Sequence, residues 1–425
     1  MASSSTTTAH TANRVTPGAA SRTAALPAST GALASDRWDG AWTAAIMRPS
    51  GSPWFPTWAE RGFEDQSVRQ VIRVNTGGSK LRIRLSNAYG DSPLRLAGAG
   101  VGRAAGGAAV RPGTIRTLRF AGSVSATVPA RGGIVSDPIT FPTDPRERLA
   151  ITLYFKDATG PASYHQVSMT TSYRAGGDHH RDAAPTAFTE SVEPGFGSWY
   201  YLEGVEVADA GPRPDAVVTF GDSITDGFGA TVDGDDRWPD VLAERLLRAG
   251  RVRPVLNAGI GSNKLLTDSA CGGDAGVSRF ARDVLEQPRA GTAIVLIGIN
   301  DIQLGDDRMC GVDSDDPPVT AERLIAGHRT LIRAAHARGV RAVGATLLPW
   351  GGSANWTADG EAIRDEVNGW IRTGGEYDAV TDFDRALDPE GTGRLPDGLH
   401  MGDHLHPSPA GYRAMAEAID LDSLT

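Results

Sequence analysis

The sequence predicts an all-β sandwich (jelly-roll-like) followed by a doubly wound α/β domain, and three observations carry that prediction. From about Asp36 to Asp209 apolar residues alternate with polar ones, and no long amphipathic helix interrupts them. From about residue 215 continuous apolar runs alternate with helical patterns, the texture of parallel strands buried on both faces. Between the two lies Ala208-Asp209-Ala210-Gly211-Pro212-Arg213-Pro214, whose proline and glycine content marks a boundary. A chain of 425 residues, 40% of them apolar, suffices for two or three domains.

The first segment is residues 1–35. Residues 2–35 are rich in Ala, Ser and Thr and hold no aromatic residue and no acid, so they cannot bury enough apolar surface to order themselves. They are expected to form a disordered tail. The segment has no hydrophobic h-region. It reads as the leading tail of a mature secreted chain whose leader Met1 has replaced.

Residues 36–209 are expected to be the β-sandwich. Leu81, Ile83 and Leu85 alternate with Arg82, Arg84 and Ser86. Leu149, Ile151, Leu153 and Phe155 alternate with Ala150, Thr152, Tyr154 and Lys156. Thr76-Gly77-Gly78-Ser79 reads as a hairpin turn between two strands. Trp38, Trp42, Trp54, Phe55 and Trp58 crowd the start of this region. Stacking on sugar rings is one role for them, and packing in the core or at a domain interface is the favoured one. Gly177-Asp178-His179-His180-Arg181-Asp182 has the side chains to hold a metal or line a cleft, but such a run is more often a solvated loop.

Residues 215–425 carry the α/β pattern. Strand-like runs are AVVTF (216–220), PVLNA (254–258), AIVLIGI (293–299), RAVGATLLP (341–349) and AVTDF (379–383). Helical runs are PDVLAERLLRA (239–249), AERLIAGHRTLIRAAHA (321–337), EAIRDEVNGWI (361–371) and AGYRAMAEAI (410–419). Ligands bind beyond the carboxyl ends of the strands in such sheets.

Bulk charge narrows the partners. The formal net charge is −9 and no basic run occurs, which argues against nucleic acid. No stretch of 18 apolar residues is present, so no transmembrane helix is expected. The oligomeric state is not legible. The two cysteines, Cys271 and Cys310, are neither a CxxC pair nor close to a histidine, so a disulfide in an oxidising compartment is expected rather than a metal site. Two free buried thiols are the alternative.

Four polar clusters stand where strands end. They are Gly221-Asp222-Ser223-Ile224-Thr225-Asp226-Gly227, Asn257-Ala258-Gly259-Ile260-Gly261-Ser262-Asn263, Gly298-Ile299-Asn300-Asp301 and Gly402-Asp403-His404-Leu405-His406-Pro407. Ester hydrolysis needs a serine whose proton a base removes. Ser223 and His406 supply that pair, and Asp403 is placed to hold the other ring nitrogen. An oxyanion needs fixed donors. The N–H of Ser223, the N–H of Gly259 and the amide of Asn300 are candidates. Asp226 and Asn263 border these clusters as possible substrate contacts or supports. No metal and no cofactor is invoked.

These clusters resemble the four blocks of the SGNH (GDSL-type) hydrolase superfamily: GDS, the block with the oxyanion glycine, GxND and DxxH. The resemblance covers roughly residues 215–421. It implies a flavodoxin-like three-layer domain, Ser223 as nucleophile and first oxyanion donor, Gly259 and Asn300 as further donors, and Asp403 and His406 completing a triad. The two-region layout resembles secreted GDSL acylhydrolases.

Each cluster has a plainer reading. GDS also serves as a capped turn, and GxND as a strand-to-loop turn. DHLHP also serves as a surface loop before a helix capped by Ser408 with Pro409 at its first position. All four in order make coincidence improbable. His404 and His400 rival His406, and Asp397 rivals Asp403, but only Asp403 and His406 have the DxxH spacing. No GxSxG elbow, HExxH or Walker A loop is present. Gly98-Ala99-Gly100-Val101-Gly102 is followed by Arg103, which breaks a dinucleotide pattern.

The expected substrate is an ester of a short acyl or aryl group, with acylated plant polysaccharide among the candidates. A lipase or phospholipase is the second reading, weakened by the polar, acidic segment 302–318 where an apolar lid would be sought. A carbohydrate-binding protein with an incidental hydrolase domain is the third.

Overall fold

The strands of residues 216–381 assemble into one parallel sheet in the order Val255–Gly259, Ala216–Gly221, Ala290–Leu296, Arg341–Ala345, Ala379–Thr381. In chain order this is 2-1-3-4-5, the flavodoxin-like arrangement of a doubly wound sheet. All six residues of Ala216–Gly221 are buried, which is why the strand carries no polar side chain but Thr219, whose hydroxyl donates to the Leu256 carbonyl at 3.3 Å. The computed structural model describes residues 37–50, 57–191, 197–209, 211, 213–304 and 317–425. The leading segment, Trp54, Phe55, Cys310 and most of 302–318 lie outside the described residues.

The crossover helices form where the apolar spacing placed them. They include Trp238–Arg248, Ala321–His336, Ala358–Thr373 and Pro409–Ala418. Thr320, Thr357 and Ser408 cap three of these, each accepting a backbone N–H of the first turn, and Pro409 occupies the first helical position after Ser408.

Residues 38–208 form two larger antiparallel sheets. One runs in the order Trp38–Thr43, Leu202–Ala208, Gly78–Ser86, Ile139–Thr143, with Gly133–Val135 also on Gly78–Ser86. The other runs in the order Glu190–Ser191, Ser172–Gly176, Gln66–Arg73, Arg148–Phe155, Gly98–Gly106, Ala109–Val110. Leu81, Ile83 and Leu85 are buried, as their alternation predicts. On Arg148–Phe155 the intervening residues Ala150, Thr152 and Tyr154 are buried as well. The second face is covered because the Arg69 guanidinium crosses it, donating to Thr152 Oγ1 at 2.9 Å and to the carbonyls of Ala108 and Asp182 at 2.7 and 2.6 Å.

Thr76-Gly77-Gly78-Ser79 is not a hairpin turn. It carries the chain from Gln66–Arg73 in one sheet to Gly78–Ser86 in the other. The glycines serve close approach: a Cβ on Gly77 would lie 2.1 Å from the Thr143 carbonyl oxygen, and one on Gly78 would lie 2.5 Å from that of Ala208. Period-two patterning marks strands but not which sheet they join.

Residues Arg37–Thr425 form one compact unit. One large apolar core runs from Ala41 through the parallel sheet to Leu424, and a small cluster of Ala108, Ala175 and Phe188 stands apart from it. Strand Trp38–Thr43 lies so close to the parallel sheet that a Cβ on Gly40 would stand 2.8 Å from Leu256 Cδ1. Asn75 Nδ2 donates to the Val255 carbonyl at 2.7 Å, and Arg73 pairs with Asp240 at 3.2 Å. No helix among the described residues is long and apolar enough to cross a membrane.

Candidate active site

Strand Ala216–Gly221 delivers Ser223 to the carboxyl edge of the sheet. Its register sets Gly221 beside Gly259 on one side and Leu296 on the other, so three loops emerge at one level. The strand order reverses between Ala216–Gly221 and Ala290–Leu296, and a crevice opens at such a switch point. Ser223 begins a one-turn helix, Ser223–Asp226, capped by Asp222, whose Oδ1 accepts the Ile224 N–H at 3.0 Å. Burial pushes the Asp222 carboxyl up to about 7. The N–H of Ser223 donates to none of the described residues, as expected at the first turn of a helix.

Ser223 Oγ lies 2.8 Å from His406 Nε2, and His406 Nδ1 lies 2.6 Å from Asp403 Oδ2. The DxxH spacing works through a tight turn in which Asp403 Oδ1 accepts the N–H groups of Leu405 and His406, each at 3.0 Å. Burial opposes the Asp403 charge, but the His406 side chain and these two N–H groups hold its pKa at about 2. The Phe228 ring meets His406 edge-on at 4.6 Å, and the Tyr412 hydroxyl donates to the Phe228 carbonyl at 2.6 Å. The last helix thereby supports the imidazole. The arrangement can take a proton from Ser223 Oγ and return it to a leaving group.

The rival groups stand apart from this relay. His400 Nδ1 accepts the N–H groups of Gly402 and His404, and the His404 ring packs on His400 at 4.2 Å. Asp397 is fully exposed and 3.8 Å from His400 Nε2.

Asn300 is buried and reaches the loop after Val255–Gly259, its Nδ2 donating to the Asn263 carbonyl at 3.0 Å. Its neighbour Asp301 accepts the N–H groups of Leu265 and Leu266 at 2.7 and 2.9 Å, and burial raises the Asp301 carboxyl to about 6. The Asn263 side chain is buried and turned inward. Its side chain donates to the carbonyls of Gly272 and Asp274 and accepts from Arg279 Nε at 2.9 Å. Asp226 is also an internal support, with Oδ1 2.9 Å from His165 Nε2 and Oδ2 accepting the Gly261 N–H at 3.0 Å.

Gly259 corrects the sequence expectation. Its N–H is already taken by Asn257 Oδ1 at 2.9 Å. Its lack of a side chain serves packing, because a Cβ there would lie 2.2 Å from the Asp226 nitrogen. The exceptional backbone in this loop belongs to Ser262, a non-glycine residue at φ +59° whose N–H donates to none of the described residues. Sequence reasoning passed over Ser262, since a left-handed serine leaves no compositional trace. It also passed over Arg279, which is buried under the strand ends and donates to the carbonyls of Ala258 and Gly221 at 2.8 and 2.7 Å.

The other singled-out groups lie elsewhere. His179 is held by Asp182 at 2.7 Å and by the Gly176 carbonyl at 2.8 Å, and His180 is held by Asp178. The glycines of the strand Gly98–Gly106 admit this loop, since a Cβ on Gly100 would lie 2.3 Å from the His180 carbonyl oxygen. No group of three or more His, Cys, Asp or Glu able to hold a metal occurs among the described residues. Trp42 packs edge-on against Trp199 at 4.8 Å, Trp58 stacks on Tyr200 at 5.7 Å, and the Arg82 guanidinium covers Trp38 at 4.2 Å. Cys271 is buried.

Residues 219–414 match the GDSL-like Lipase/Acylhydrolase family. No curated protein matches the chain. Among solved structures the chain is similar to an acetyl xylan esterase from Geobacillus stearothermophilus, at 20% identity and a TM-score of 0.39, over 50% of this chain and 95% of that one. It is similar to the M. smegmatis aryl esterase at 18% identity and a TM-score of 0.39, over 50% and 100%. A lipase/acylhydrolase from Enterococcus faecalis matches at 18% identity and a TM-score of 0.37, over 48% and 92%. The family match by itself gives residues 219–414 as a GDSL-like lipase/acylhydrolase domain, consistent with a carboxylic ester hydrolase.

Proposed function

We propose that Ser223, His406 and Asp403 act as a Ser-His-Asp triad that hydrolyses carboxylic esters of short acyl or aryl groups, acylated plant polysaccharide among them, in a secreted protein. The observation that carries this reading is the unbroken relay from Ser223 Oγ to His406 at 2.8 Å and on to Asp403 at 2.6 Å. Ser223 Oγ attacks the ester carbonyl as His406 Nε2 takes its proton, and Asp403 stabilises the imidazolium. His406 then protonates the departing alkoxide. Water, activated by the same nitrogen, releases the acid from the acyl-serine.

The oxyanion is held by the N–H of Ser223 and by the second amide hydrogen of Asn300. The third donor is the N–H of Ser262 in place of that of Gly259. Ser262 lies in the loop tied to Asp226 on one side and to Asn300 on the other. The antiparallel region before residue 210 serves as an accessory β-sandwich that shares its core with the hydrolase region, 215–425.

Ser223→Ala tests the reading. It should abolish hydrolysis of p-nitrophenyl acetate while circular dichroism shows the fold intact, and a rate near wild type would sink the triad. A series from acetate to palmitate separates esterase from lipase, with a preference for palmitate reversing the acyl assignment. Acetylated and feruloylated polysaccharides then address the alcohol.

A further inference from the structure

We propose that His165, contributed by the antiparallel region, is a positioning residue for the ester-hydrolysing site: paired as an imidazolium with Asp226, it sets the turn of residues 261 and 262 against Ser223. This rests on the Ser223 reading above.

His165 lies in the short strand Tyr164–His165 and is buried. Its Nδ1 is 2.9 Å from the Ala45 carbonyl oxygen, and its Nε2 is 2.9 Å from Asp226 Oδ1 and 3.3 Å from the Val167 carbonyl oxygen. Carbonyls and carboxylates only accept, so both ring nitrogens face acceptors. One hydrogen therefore sits on Nδ1, and a second lies between Nε2 and Oδ1. A singly protonated ring would set lone pair against lone pair at one end, a costly arrangement in a buried site. The nearby Arg237 guanidinium opposes a second positive charge here and is itself paired with Asp240 at 3.2 Å. Burial opposes the His165 charge, but Asp226 and the Ala45 carbonyl outweigh it and raise its pKa above the ordinary value.

Asp226 joins three pieces of the molecule. It ends the turn Ser223–Asp226, and its N–H donates to the Asp222 carbonyl at 2.8 Å. One carboxylate oxygen meets His165 from the antiparallel region, and the other takes the Gly261 N–H at 3.0 Å. The following residue is the left-handed Ser262, and the carbonyl after it receives the Asn300 amide. Without His165, Asp226 is free to turn from Gly261, and two oxyanion donors lose their placement. A misplacement of about 1 Å costs on the order of 10²-fold in rate.

Three measurements on the full chain test this. Nitrogen-15 NMR of the labelled histidines, with His165→Gln for assignment, should show a His165 ring still doubly protonated at pH 7, above the ordinary histidine pKa of about 6.5. A neutral ring at pH 7 overturns the inference and leaves the Ser223 reading standing. His165→Ala should lower kcat on p-nitrophenyl acetate by about 10²-fold with KM nearly unchanged, measured well below its melting temperature. His165→Gln, whose amide still donates to Asp226, should recover about tenfold of that loss. Variants that melt earlier yet keep wild-type kcat where folded show a stabilising role alone and overturn it. Should His165→Ala not fold, His165→Gln and the NMR spectrum decide. Ser223→Ala run in parallel separates the two readings: activity there sinks the site itself, whereas an inactive Ser223→Ala beside fully active His165 variants sinks only the role of His165.

Discussion

Replacing Asp403 by Asn changes one atom and should cost almost all of the activity. The Oδ1 oxygen of Asp403 accepts two backbone N–H groups, each at 3.0 Å. An asparagine keeps its only oxygen there, because turning the amide over would set NH₂ against two N–H donors. Its NH₂ then faces His406 Nδ1, where Asp403 Oδ2 stood at 2.6 Å. A donor at that place demands a lone pair on Nδ1, which moves the ring hydrogen to Nε2. Nε2 is the atom 2.8 Å from Ser223 Oγ, and once protonated it cannot act as base. Locking the wrong tautomer in this way costs on the order of 10⁴ in kcat, about 5.5 kcal/mol of barrier. Steady-state hydrolysis of p-nitrophenyl acetate measures it, with circular dichroism and a thermal melt to confirm folding. A folded Asp403→Asn protein within about tenfold of wild-type kcat would refute the argument that Asp403 sets the tautomer.

Other perturbations separate roles in the same way. Asn300→Ala should lower kcat by on the order of 10²–10³ and leave measurable activity, and an unchanged rate would remove Asn300 from the oxyanion hole. Cys271 and Cys310 should be bonded in oxidised protein, closing a loop of about 40 residues for roughly 3–4 kcal/mol in the chain-entropy model. Two thiols alkylated in denatured, unreduced protein rule that bond out. His328 is fully buried against Tyr377, and burial lowers its pKa from 6.5 to about 4. The unfolded chain then binds the extra proton first, so this stability is complete above about pH 6.5 and is lost as pH falls toward about 4, by about 3 kcal/mol in all. Asp222 and Asp301, raised to about 7 and about 6, act with the opposite sign and lose stability as pH rises. The test is therefore the difference between wild type and His328→Gln in denaturant melts at pH 7 and pH 5, and equal losses in both proteins would contradict the assignment.

What was legible in the sequence was local. The strand Ala216–Gly221 is buried along its length, so its apolar run announces it. Thr320, Thr357 and Ser408 stand where a cap is needed, and the chain shows them directly. Asp403 and His406 meet through one turn, so their spacing encodes their contact. The parallel sheet then brings distant pieces together by topology alone, since Ser223 and Asn300 follow strands flanking the switch point.

What was not legible depended on through-space partners or on the sign of φ. Gly259 looked like an oxyanion donor because glycine admits close approach, yet what approaches it is the Asp226 backbone. The strained position lies three residues further on, at Ser262, and a left-handed serine leaves no mark in composition. Thr76-Gly77-Gly78-Ser79 has hairpin chemistry but crosses between sheets, because its glycines answer to Thr143 and Ala208 rather than to a turn. The partner of Asp226 lies 61 residues upstream in His165, in a region whose pattern suggested a separate domain. A boundary read from proline and glycine marks where the chain changes texture. It does not say whether the two sides share a core, and here Gly40 against Leu256 and Asn75 against Val255 show that they do.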